Sequence, residues 1–166
     1  LSPWHGNIRL AQIGDGQTGW AIPWEEWAGV FYQAMDLHNG PVVAHNIAFE
    51  AKWLAVNSRF QMPWHNAHDT MIMSQVIQPG AQSHALKTLT SRLIDPRASA
   101  LQSWLDETMV KNGWTWGTIP VDHSIYWQYG ALDTVITTRL FLDHFYDQVK
   151  PGTQLSRPYD LEMANR

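Results

Sequence analysis

The stretch Gly14-Asp15-Gly16-Gln17-Thr18-Gly19 places three glycines in six residues between two apolar segments, and it constrains the fold more than any other stretch. A cluster of this kind turns the chain back on itself. Before it, Ile8-Arg9-Leu10-Ala11-Gln12-Ile13 alternates loosely; after it, Trp20-Ala21-Ile22 can return as a second arm. A β-hairpin is therefore predicted. Pro23 suits the entry to a helix, and Glu25 and Glu26 fall in its first turn, where the helix dipole favours acids. Asn39-Gly40-Pro41 stops that helix after about Leu37. Pro41-Val42-Val43-Ala44 is short, apolar and β-branched, and reads as a buried strand ending at His45-Asn46. The order hairpin, helix, strand points to α/β layers, with helices packed on a mixed sheet.

The remainder reads as helices with short breaks. Phe49, Trp53 and Val56 stand at helical spacing in a helix from Ile47 to Asn57. The segment from Arg59 to His68 is a connection that can close with a short strand. Asp69 is placed as the N-cap of a helix from Thr70 to Ile77, ended by Gln78-Pro79-Gly80. Helices follow over about His84–Ile94 and Ala98–Asn112, separated by Asp95-Pro96, and a last long one over about Ser124–Val149 stops at Pro151-Gly152.

Composition narrows the function. The 166 residues predict one domain with short flanks. There is no cysteine, which removes disulfides, thiolate zinc sites and a Cys nucleophile. No apolar run approaches the ~18 residues needed to span a bilayer, and no signal peptide is evident, so an intracellular protein is expected. The net charge of −4 argues against broad coating of a duplex, while compact recognition of a strand end stays open. The ten tryptophans are expected mainly as core or interface anchors, a few being able to stack on bases. His45, His65, His68 and His84 have no zinc-like spacing.

Two local patterns carry chemistry. In Tyr129-Gly130-Ala131-Leu132-Asp133, four residues is about 6 Å along a helix and nearly one turn, so phenol and carboxylate share a face. Gly130 and Ala131 leave room there for another element or a ligand. In Ala44-His45-Asn46-Ile47-Ala48-Phe49-Glu50, a strand ends, Asn46 turns the corner, and Glu50 lies one turn into a helix, a favoured place for sites in α/β sheets. Each pattern alone also suits plain structure: Tyr129 in the core with Asp133 solvated, Asn46 as an N-cap with Glu50 as a dipole partner.

Taken with Asp69-Thr70-Met71 and His84-Ala85-Leu86-Lys87-Thr88-Leu89-Thr90-Ser91-Arg92-Leu93, the ordered set resembles the DEDD-type 3′–5′ exonucleases of the tyrosine subclass. The closer resemblance is to the proofreading domain of family A DNA polymerases, and it covers roughly Ile8 to Ile94 and Ser124 to Leu142. The resemblance implies a ribonuclease H-like fold, a mixed five-stranded sheet flanked by helices. It implies hydrolysis of the 3′-terminal phosphodiester of single-stranded DNA by two divalent metals, Mg²⁺ or Mn²⁺, held by carboxylates. On that pattern Asp133 is a metal ligand and Tyr129 orients the attacking water. Glu50 stands where the family usually has Asp, so it is expected as a catalytic carboxylate and ligand of altered reach. Leu1 matches a wedge against the terminal bases, Phe49 an aromatic contact, Asn46 a polar contact to the strand end, and Arg92 a basic residue that can meet a phosphate. Trp114 and Trp116 are expected to pack over the helices.

The family's first motif, Asp-x-Glu on the first central strand, does not precede the hairpin. Leu1-Ser2-Pro3 resembles the point just after it, so the sequence is expected to begin there, with that strand missing. Residues 1–166 by themselves are then expected not to cleave DNA. Tyr159-Asp160-Leu161-Glu162-Met163 resembles the entry to a polymerase region. The division expected is an exonuclease domain over 1–150 and, over 151–166, the start of a linker or helix into a polymerase domain of the same chain. The expected setting is the cytoplasm of a bacterial or phage-infected cell. Two other readings remain: an inactive exonuclease-like DNA clamp or spacer, and an exoribonuclease resembling ribonuclease D.

Overall fold

The computed structural model describes residues 2–165. The expected hairpin is present: β1 (Leu10–Gly14) pairs antiparallel with β2 (Gly19–Pro23), Ala11 opposite Ile22. Asp15 closes the turn by accepting from the Gln17 and Thr18 amides, and Gly16 takes the positive φ of 86° that a side chain would resist. Helix α1 (Trp24–Leu37) follows, with Glu25 and Glu26 in its first turn. Strand β3 (Val42–Ala44) leads into α2 (Ile47–Asn57), and a single 3₁₀ turn at Trp64–Asn66 leads into β4 (Ala67–Asp69), which runs parallel to β3. Helices α3 (Thr70–Ile77), α4 (Leu86–Leu93) and α5 (Ala100–Asn112) come next, with Gly113 ending α5 at a φ of 66°.

The last long helix keeps its expected bounds, Ser124 to Val149, but changes its winding within them. It is α6 (Ser124–Arg139), then a π-helical stretch over Leu140–Phe145, then α7 (Tyr146–Val149). The Tyr146 amide bonds back to the Phe141 carbonyl, five residues away. The extra residue per turn rephases the helix, so that Leu140, Phe141, Phe145 and Val149 are all buried in one cluster with Ile72, Met73, Leu89 and Tyr159. Tyr159 comes from α8 (Ser156–Ala164), so the C-terminal segment contributes to this core. A second cluster joins Leu105, Met109, Ile119, Ile125 and Tyr126, with Trp114, Trp116 and Tyr129 packed on it. Helix α6 carries Ile125, Tyr126 and Tyr129 to the second cluster, the π-helical stretch that continues it carries Leu140 into the first, and Asp133 lies between.

Two expectations on layout are corrected in part. Among the described residues the strands form two separate two-stranded sheets, one antiparallel and one parallel, and not one continuous sheet. Both sheets pack on α6, so the α/β layering holds. The tryptophans are not mainly core anchors. Trp4, Trp20, Trp27, Trp64, Trp104 and Trp127 are exposed, and the fully buried side chains are Ile, Leu, Met and small polar residues. Large flat side chains fill the margins here, while branched aliphatic ones fill the centre. Trp114 and Trp116 do pack over the helices, against His123 and against Tyr126 and Tyr129.

The room left by Gly130 and Ala131 is taken by the hairpin. A Cβ on Gly130 would stand 2.6 Å from Gln12 Nε2, and one on Gly19 would stand 2.7 Å from the Ala131 carbonyl carbon. Gly19→Ala must therefore lift the hairpin off α6, and a loss of about 1–3 kcal/mol is expected. Gly29→Ala in the exposed middle of α1, where an added Cβ meets nothing within 4 Å, is expected to gain up to about 1 kcal/mol. Paired urea melts check both signs. Equal shifts for the two variants would overturn the close-packing account.

Candidate active site

The turn from β3 into α2 is fixed by one carboxylate. Asp69 ends β4 opposite Ala44 and is fully buried. Its Oδ1 accepts from the amides of Asn46 at 3.0 Å and Met71 at 2.8 Å, and its Oδ2 from the amide of Ile47 at 3.0 Å. A longer contact at 3.4 Å comes from the Ile72 amide. Asp69 therefore caps its own helix, as expected, and the start of α2 as well. Asn46 stands at the N-cap position, but its side chain makes no capping bond. It supplies the left-handed backbone instead, with φ 68°, the one positive φ of a non-glycine among the described residues.

From that anchored start, α2 carries Phe49 and Glu50 into a groove of about 1160 Å³. The groove is also walled by Arg9, Trp53, Trp116 and Tyr129. Phe49 is 45% exposed, and its ring lies tilted on that of Trp53. Arg9 is tied down, donating to the Trp116 and Ile119 carbonyls. Glu50 holds its carboxyl below the groove surface, with Oε2 buried and without a hydrogen-bond partner. Burial, and then the negative charge of Asp69, push the Glu50 carboxyl up to about 7.

On α6, Tyr129 and Asp133 share a face as the spacing requires. Burial raises the Tyr129 hydroxyl well above the usual phenol range, and the nearby Asp133 carboxylate adds to this. Burial also raises Asp133, against the opposing pull of Lys87. Lys87, on α4, forms an ion pair with Asp133 and stands 4.5 Å from the centre of the Tyr129 ring. In the sequence, Lys87 is one residue of the helix expected over about His84–Ile94. No local signal marks it, because it meets Asp133 across 46 positions.

The fold thus brings Phe49, Glu50 and Tyr129 to one groove, with Asp133 one turn along α6 from Tyr129. Arg92 does not line that groove; it donates to Gln78 Oε1 at 2.7 Å on an exposed face. Leu1 lies outside the described residues. No group of three or more His, Asp or Glu stands ready around a metal among the described residues. The donors that are present still suit a hard divalent cation, because the unpartnered Glu50 oxygen is a buried ligand atom waiting for charge.

The Glu50 shift has a testable sign. Its folded value of about 7 lies above the ordinary 4.5, so folding favours the protonated form. That contribution is full below about pH 4.5 and is lost as pH rises through about 7. Glu50→Gln keeps the shape without the charge. It is expected to raise the melting temperature of the cation-free protein at pH 8, on the order of 5 °C, and to leave it unchanged near pH 4.5. Comparing the two proteins at each pH removes the opposing contributions of His45 and His68, whose values burial lowers. An equal difference at both pH values would show that Glu50 is not held protonated.

Comparison with known proteins places the chain in a family. The family model described as 3′–5′ exonuclease matches residues 6–145. The chain belongs to the 3′–5′ exonuclease family, in the form carried by family A DNA polymerases. The match runs through residues 95–123, which the motifs alone did not reach. The DNA polymerase of Mycobacterium phage D29 is 25% identical over 148 residues, covering 80% of this chain and 24% of that protein. The DNA polymerase of Mycobacterium phage L5 is 25% identical over 147 residues, with the same coverage. The chain thus spans about a quarter of the length of these relatives. No solved structure gives a significant match. Among the described residues, no helix is long and apolar enough to cross a membrane.

Proposed function

We propose that this chain is the proofreading domain of a DNA polymerase, removing nucleotides from the 3′ end of single-stranded DNA by hydrolysis. The observation that carries the reading is the groove in which Phe49 and Tyr129 flank the buried, unpartnered Glu50 carboxylate. Phe49, with Trp53 behind it, offers an exposed aromatic face on which a terminal base can stack whatever its identity. That tolerance suits an enzyme that must remove any misplaced nucleotide. Asn46 presents its turn at the mouth of α2, Leu1 is read as a further contact to the strand end, and Arg92, which lies off the groove, as a contact to a phosphate farther along the strand. Tyr129 keeps its proton at neutral pH, so its hydroxyl can donate or accept a hydrogen bond and orient a water molecule.

Glu50 and Asp133 are the residues that would hold divalent cations, Mg²⁺ or Mn²⁺. When bound, such ions supply a more acidic water and charge stabilisation at the leaving oxygen. In this reading the hairpin and the parallel pair, both packed on α6, belong to a ribonuclease H-like fold. Residues 1–150 form the nuclease domain, and 151–166 begin the connection to a polymerase domain in a bacterial or phage-infected cytoplasm.

A second reading, a non-catalytic clamp, is favoured by one feature: the Asp133 charge is already met by Lys87. The test is single-turnover digestion of a 5′-labelled single strand by the polymerase chain that carries these residues. Mg²⁺-dependent shortening from the 3′ end, abolished by chelator and by Glu50→Ala, is the expected result. Retained DNA binding without shortening would establish the clamp, and equal shortening of RNA would move the reading toward the ribonucleases.

A further inference from the structure

The ion pair between Lys87 and Asp133 differs in kind from the others. The side chains of Lys87 and Asp133 are only 18% and 22% exposed, and they come together from helices 46 positions apart. The other ion pairs found among the described residues are local and open: Arg97 with Asp95, and Lys150 with Asp147. Pairs of that open sort contribute little to stability and ask for no special account. Lys87 is held on three sides, by the Asp133 carboxylate, by the face of the Tyr129 ring, and by α4, whose Leu89 is fully buried in the first core. Its ammonium thus takes up Asp133 Oδ1, one of the two oxygens that the carboxylate could offer a cation, beside the hydroxyl-bearing ring.

We infer that Lys87 is an internal counter-ion that competes with divalent cations for Asp133 and so sets the cation concentration at which the site fills. This rests on the reading of Asp133 as a cation ligand. A carboxylate isolated beside a buried phenol would be poorly solvated, and the ammonium meets its charge until a better-charged partner arrives. Lysine suits the exchange: its ammonium is a compact point charge on a flexible stem and can swing away without moving α4. A guanidinium in the same place would grip the carboxylate with a planar fork and yield less readily. Lys87 is on this account a positioning residue, acting through Asp133.

The experiment titrates Mn²⁺ into the DNA-free polymerase chain and counts free ion by electron paramagnetic resonance. Lys87→Met is expected to tighten the site, lowering its dissociation constant about tenfold. Lys87→Arg is expected to shift it in the opposite direction, to weaker binding. Asp133→Asn is expected to weaken binding in every background. Opposite signs for Met and Arg are not the result of a merely structural lysine, whose loss loosens the site either way. If Lys87→Met does not fold, the sign of the Arg variant decides alone. Unchanged or weaker binding in Lys87→Met, or tighter binding in Lys87→Arg, with Asp133→Asn still weakening the site, overturns the counter-ion and leaves the ligand reading standing. Unchanged binding in Asp133→Asn overturns the ligand reading and the inference with it.

Discussion

Replacing Asp133 by Asn is expected to slow release of the 3′-terminal nucleotide on the order of 10³-fold while the protein still folds. The size follows from charge. Asp133, one turn along α6 from Tyr129, is one of the two carboxylates proposed to hold the cations, and an amide of the same shape lacks the charge to do so. Asn is the informative substitution, because its carbonyl oxygen can still accept from Lys87. Alanine would leave the Lys87 ammonium without a partner in a site where both side chains are largely shielded, and a fold defect would confuse the result. Tyr129→Phe is expected to be milder, about 10²-fold or less, since it removes a positioning hydroxyl and no charge. The measurement is single-turnover release from a labelled single strand at saturating Mg²⁺, with a melting curve for each variant. A near-normal rate in Asp133→Asn with an intact melt would take Asp133 out of the mechanism.

The largest stability effect is expected at Asp69, a residue outside the groove. Asp69→Ala strips the acceptors from the amides of Asn46, Ile47, Met71 and Ile72. Each buried donor left unpaired costs about 1–3 kcal/mol. A total loss of at least about 4 kcal/mol is expected, a large part of the roughly 5–15 kcal/mol that holds a typical domain. Asp69→Asn keeps one acceptor and turns an NH₂ toward the remaining donors, so about half the loss is expected. Equilibrium unfolding in urea measures both. The same change should loosen the start of α2 and with it Glu50. A loss under about 1 kcal/mol for Asp69→Ala would mean that the two helix ends are capped by something else.

Helices bounded by strong local punctuation were legible residue by residue. The predicted spans Ile47–Asn57 and Thr70–Ile77 are the observed α2 and α3, because Asn46 and Asp69 open them and Gln78-Pro79-Gly80 closes the second. The hairpin was legible for the same reason, its glycine-rich turn leaving the chain one course. The long C-terminal helix was legible in its bounds, Ser124 to Val149, but not in its winding. Its π-helical stretch answers to the packing of Phe141 and Phe145 against distant residues, and nothing in the local spacing announces that. The burial of tryptophan was misjudged because size and hydrophobicity alone do not say whether a ring fills a centre or an edge. Arg92 has the charge to meet a phosphate, yet its nearest partner is Gln78, away from the groove.

By itself, the sequence determined the α/β class, the turn that ends in Asn46, the position of Glu50 one turn into a helix, and the shared face of Tyr129 and Asp133. All of these depend on residues a few positions apart, where backbone geometry leaves little choice. Only the tertiary structure decided that Asp69 caps two helices, that the Glu50 oxygen is buried without a partner, and that Asp133 is met by Lys87. Those facts depend on segments from 22 to 46 positions apart, which only packing brings together. Charge state at the site is set by what burial removes and what a distant neighbour supplies.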